Sequence, residues 1–121
     1  MPRRRGLQMN ESILGSIKKL LGISNDYDHF DADLIIHINS CLAILTQLGV
    51  GESEGFSIHG GGETWSDFMG ANTKNLDHVK SFVYLKTRLL FDPPTSSGAI
   101  ESMNRLVGEL EWRINVNADT F

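Results

Sequence analysis

The stretch "FDPPTSS", residues 91–97, leaves this chain few folds. Before it, Leu76, Val79, Phe82, Val83, Leu85, Leu89 and Leu90 recur at the spacing of a helix. After it, Ile100, Met103, Val107, Leu110 and Ile114 repeat at alternating intervals of three and four, a heptad seam. A residue before proline is pushed out of the α region, so the first helix ends at Asp92. Pro94 stiffens the corner, and Thr95, Ser96 or Ser97 caps the helix that follows. Two apolar-faced helices joined by a short rigid corner bury those faces by packing beside one another.

The N-terminal half repeats the pattern. "NESILGSIKKLLGI" places Ile13, Leu14, Ile17, Leu20 and Leu21 on one helical face. Asn10 can cap its start, and Gly22 stands where a C-terminal glycine belongs. A polar turn leads to a second helix, starting at Asp31 or Asp33. Its apolar positions Leu34, Ile35, Ile38, Cys41, Leu42, Leu45 and Leu48 are widened by Ile36, Ala43 and Ile44. So wide a stripe predicts packing on two sides. Gly49 and Gly51 stop this helix.

Residues 51–63 hold five glycines and read as a long loop, with room for a short hairpin around "HGGG". "TWSDFMG" reads as one helical turn capped by Thr64, with Trp65 and Phe68 turned together toward the core. The expected fold is therefore all-α. It is a small antiparallel bundle of about four main helices plus a short helical turn, with a long Gly-rich loop and an extended C-terminal tail. Residues 1–9 form a basic N-terminal extension, 10–115 a single helical domain and 116–121 the tail.

Charge narrows the function. The 121 residues carry a net charge of −4, unevenly spread. Residues 1–23 hold five Lys/Arg against one Glu; the rest hold six Lys/Arg against fourteen Asp/Glu. An acidic body grips nucleic acid poorly, since such binding rests on neutralising phosphates. "RRR" at 3–5 can touch nucleic acid or an acidic partner. The plainer reading takes Met9 as the natural start and residues 1–8 as a vector scar or upstream extension. No apolar run approaches the ~20 residues of a membrane span. The lone Cys41 can form no internal disulfide, which agrees with an intracellular setting.

Motifs for chemistry are missing. None of His29, His37, His59 and His78 lies in HExxH, and Cys41 has no partner for a zinc-site spacing. "HGGGE" at 59–63 resembles an oxyanion-hole glycine run, but there is no G-x-S-x-G elbow to go with it. Asp26, Asp28, Asp31 and Asp33 lack the glycine and terminal glutamate of a calcium loop. They read as solvated acids favouring a helix N-terminus. No phosphate-cradling loop occurs. The expectation is therefore no enzyme activity, no cofactor and no metal. A helical DNA-binding or regulatory protein is the alternative, and a small enzyme the third reading. Neither the third nor the fourth long helix has the Arg-, Lys-, Asn- or Gln-rich face of a groove reader.

Taken together, "FDADLIIHINSCLAILTQLGVG", "GFSI", "TWSDF", "VKSFVYLKTRLLFDPPTSS" and "ELEWRINV" resemble the phage head–tail connector family. The resemblance is to the connector-like proteins of long-tailed phages and prophages of Gram-positive bacteria. It runs from about Glu11 to Val116. It implies a structural neck protein of the virion, assembled in the host cytoplasm. Such proteins form a homo-oligomeric ring, commonly of twelve subunits, under the portal protein. The ring extends the DNA channel, through which DNA passes without specific binding, and docks a stopper or tail-completion protein. Carried onto this chain, the resemblance implies that Val116, Asn117, Ala118, Asp119, Thr120 and Phe121 dock on the portal. It implies that the loop residues Glu52, Glu54, Phe56, Ile58, His59, Gly60 and Gly61 face the channel or the next ring. Trp112 stands off the heptad seam and is expected at a subunit contact.

Overall fold

A computed structural model describes residues 9–51, 55–70 and 74–119. Five helices appear among them: α1 (Ile13–Leu21), α2 (Asp31–Gln47), α3 (Trp65–Met69), α4 (Leu76–Phe91) and α5 (Ser97–Asp119). There is no strand among the described residues, only one isolated antiparallel bridge between Ser12 and Thr64. The expected hairpin around "HGGG" does not form; Gly60 and Gly61 make a bend.

Helix α4 is the hub, packing against α2, α5 and α1. Phe30, just before α2, meets Phe91 at the end of α4, with ring centroids 5.2 Å apart. At the opposite end, Asn115 Nδ2 donates to the Leu48 carbonyl at 3.3 Å and Asn117 Nδ2 to Asn75 Oδ1 at 2.9 Å. Helices α2 and α5 therefore run against α4. Helix α1 runs with it, since Leu21 and Ile23 end beside Phe30 and Phe91. These contacts make the bundle expected from the apolar spacing.

The helix ends follow local rules, with one correction. Gly22 closes α1 in the left-handed region at φ 81°, which glycine adopts without steric cost. Thr64 and Asp67 form a reciprocal capping box on α3. Ser96 Oγ accepts from Ala99 N at 3.1 Å at the start of α5. The cap of α1, however, is Ser12 and not Asn10: Ser12 Oγ accepts from Gly15 N at 3.0 Å. Ile13 N donates to Glu63 O and Trp65 N to Glu11 O. This pairing holds residues 11–13 beside 63–65, so the helix begins only after it.

The core holds most of the expected apolar residues, and Val50, Ile58 and Met69 join them. Leu34, Ile38, Cys41, Leu42 and Leu45 of α2 are buried with Phe82 and Val83 of α4. Met9, placed with the extension, is also buried. The broad stripe of α2 packs on both α4 and α1, but not all of it is covered. Ile36, 64% exposed, and Ala43 lie opposite the Leu34–Ile38–Leu45 face and turn outward. Leu20 is likewise half exposed, and its neighbour Lys18 takes the inward position. Lys18 Nζ lies 2.8 Å from Asp31 Oδ1 and donates to the carbonyls of Tyr27 at 2.7 Å and Asn25 at 3.2 Å. A buried ammonium is tolerated only when paired and hydrogen-bonded in this way. One lysine thereby fastens the whole turn between α1 and α2.

The C-terminal boundary also moves. Val116 to Asp119 continue α5 and do not form an extended tail. Ala118 comes so near Gly49 that a Cβ there would lie 2.9 Å from the alanine methyl. Gly49 also has φ 100°, so glycine is required on both counts.

Candidate interaction surfaces

The glycine-rich loop is more tightly held than its composition suggests. Ile58 N donates to Asn39 Oδ1 at 2.7 Å, and Asn39 Nδ2 donates back to Ile58 O at 3.0 Å. One α2 side chain thus satisfies both backbone groups of Ile58, whose own side chain is fully buried. Ile58 is a core residue of this subunit, and its side chain is not offered to the channel or to a next ring. An apolar residue flanked by an amide clasp wins more by burial than by exposure. Phe56 is half-buried against Phe68, with ring centroids 5.3 Å apart. Of the expected loop contacts, His59 and Gly61 are exposed and Gly60 is half-buried. Glu52 and Glu54 lie outside the described residues.

Glu63 organises the exposed tip. Its Oε2 accepts from His59 N at 3.0 Å and lies 3.4 Å from His59 Nδ1. Burial opposes ionisation, but backbone donors at Glu63, His59 and Gly60 outweigh it and hold the carboxyl below its ordinary value. The arrangement is a turn lock. Among the described residues it brings no nucleophile and no second carboxylate to the glycines.

The other titratable groups are equally structural. Cys41 Sγ lies 3.9 Å from Thr87 Oγ1, and burial pushes its thiol up to about 11. Such a thiol is inert at neutral pH. Among the described residues no group of three or more His, Cys, Asp or Glu could hold a metal ion. Asp26, Asp28 and Asp33 are exposed, and Asp31 is taken by Lys18. No helix among the described residues is long and apolar enough to cross a membrane.

The surfaces suited to binding lie elsewhere. The heptad seam of α5 is buried at Val107, Leu110 and Ile114. Directly opposite, Trp112 is 67% exposed. Val116 and Leu106 are partly exposed on the same helix, and Glu109 pairs with Arg113 at 3.1 Å. Arg88 does not reach across to Glu109, which is held by Arg113. Arg88 instead bonds Tyr84 Oη and the Asp92 carbonyl, both within reach along its own helix. Of the expected tail, Asn117 and Ala118 are half-buried against Asn75 and Gly49. Thr120 and Phe121 lie outside the described residues.

Sequence reasoning missed an open groove along α1. It is lined by Ser12, Gly15, Ser16, Lys19, Gly22 and Asn25 and holds about 650 Å³. The small residues at positions 12, 15, 16 and 22 were its signal. A smaller recess of about 410 Å³ lies at the proline corner between Leu21, Ile23, Phe30 and Phe91.

A family model described as phage connector protein matches residues 13–120. No curated protein and no solved structure matches the chain.

Proposed function

Because this chain belongs to the phage connector protein family, a structural family of the phage head–tail junction, we propose that it is a subunit of a ring in the virion neck. The ring sits under the portal protein, extends the DNA channel and docks a stopper or tail-completion protein. The observation that carries this reading is the family match over nearly the whole folded chain. Two physical features support it. The acidic body after residue 23 does not hold passing DNA. Helices α1 and α5 each pack on α4, and their outer surfaces are two different faces for neighbours, as a head-to-tail ring requires.

The C-terminal end of α5 is the portal-facing end in this reading, with Val116 and the residues after it at the contact. The turn is held by Asn115 and Asn117, so the segment leaves the bundle in a defined direction. The test is capture of purified portal by the full chain and by a chain lacking 116–121. Truncation removes the Asn117 bond, an expected loss of ~1 kcal/mol, so the shortened bundle still folds. Portal binding should drop while the thermal transition stays cooperative. Equal capture by the truncated chain would place the interface elsewhere. A tight, sequence-specific shift of duplex DNA at physiological salt would sink the neck reading in favour of a regulator.

A further inference from the structure

The outer side of α5 and the groove along α1 have matching features. Trp112 stands 180° from the buried seam and is mostly exposed. One turn earlier is Gly108, with open space where a Cβ would be. A helical side chain leans toward the turn before it, so the indole has a bare floor at Gly108. Large exposed aromatic residues are enriched at interface centres.

The groove has what an indole needs. Gly15 and Gly22 keep part of its lining low, and Ile23 adds an apolar side chain beside them. Asn25 Oδ1 would lie only 3.4 Å from a Cβ at Gly15, which puts an acceptor over the floor. A buried indole N–H requires such an acceptor. Charges match as well. Lys19 is exposed on the groove wall, while the Glu11 carboxylate is engaged by Lys80 at 3.2 Å. Trp112 is flanked by Glu111, whereas Glu109, one turn back, is engaged by Arg113 at 3.1 Å.

We propose that Trp112 of one copy of this chain seats in the α1 groove of a second copy, with Glu111 beside Lys19, as the repeating contact of the assembly. This rests on the ring reading above and adds the two surfaces that meet. The two patches lie on different helices, so the contact is head-to-tail and propagates instead of closing as a two-fold dimer. One such anchor buries on the order of 150–250 Å² of side chain, far below the ~1,200 Å² of a stable pair. Dilute subunits therefore separate, and closure of the ring supplies the missing affinity.

The experiment uses the full chain with Lys19→Cys and Glu111→Cys together, treated at high concentration with a short bismaleimide. Native Cys41 stays silent because it is buried. The expected result is a ladder of multimers joined through positions 19 and 111, identified by peptide mass spectrometry. Each single variant should give dimers at most. Trp112→Ala added to the double variant should cut the ladder about tenfold, with an unchanged melting temperature. An amine-reactive cross-linker run in parallel separates the two failures. Oligomers without 19–111 links overturn these surfaces and leave the ring standing. No oligomers with either reagent at any concentration overturn the ring reading and this inference together.

Discussion

Helices α4 and α5 join at one corner and share one interface, yet they differ in kind. Helix α4 buries Leu76, Val79, Phe82, Val83, Leu85 and Thr87, contacts on several sides that suit a hub. Helix α5 buries a single seam of Val107, Leu110 and Ile114. Its opposite side is solvent-facing, including its one tryptophan. Stripe width separates the two roles, because a helix must cover every apolar face it has. Helix α2 marks the limit of that rule. Its stripe is as wide as that of α4, but Ile36 and Ala43 remain outside.

The contrast can be broken by substitution. Phe82→Ala in the hub should cost ~3–5 kcal/mol and Leu110→Ala in the seam ~2–5 kcal/mol. Both are read from chemical denaturation midpoints. A near-neutral Leu110→Ala would mean that the seam serves a partner and not this core. Asn39→Ala comes next, at ~1–3 kcal/mol, because it strands both backbone groups of Ile58. Faster amide exchange at Ile58, with little change in the α4 amides, would locate that loss in the loop.

Among the substitutions Trp112→Ala should do least, within about 0.5 kcal/mol, as for a surface residue. A large destabilisation there would erase the difference between the two faces of α5. The smallest effect concerns acid. The Glu63 carboxyl titrates below its ordinary value in the folded state. Its stabilising contribution is therefore present above the unfolded value of ~4.3. It is lost as pH falls through the folded one. Protection of the His59 amide, taken relative to its intrinsic exchange rate, should fall on acidification in that range, and a flat profile would show that Glu63 does not hold the tip.

Several of these assignments were open to reading from local pattern. The corner, the Thr64 cap, the Gly22 stop and the seam of α5 depend on neighbours three or four residues away. Chain chemistry decides such features before any tertiary contact forms. Trp112 was legible for the same reason, since its angular distance from the seam follows from helix geometry. The loop misled because glycine content reports conformational freedom, and an amide on α2 had removed that freedom at Ile58. Asn39 and Ile58 are nineteen residues apart, and no local period joins them.

By itself, the sequence determined that this protein is helical, where its main helices break, which side of α5 is apolar and which family it resembles. Tertiary structure alone decided that Lys18 goes inward, that Ser12 caps α1 in place of Asn10, and that residues 116–119 remain helical. It also opened the groove on α1. The physical reason is one of range. Helix start, stop and stripe are set within a turn or two of chain. The fate of a polar or terminal group depends on whether a distant partner can satisfy it. Asp31, Glu63, Leu48 and Asn75 are those partners here.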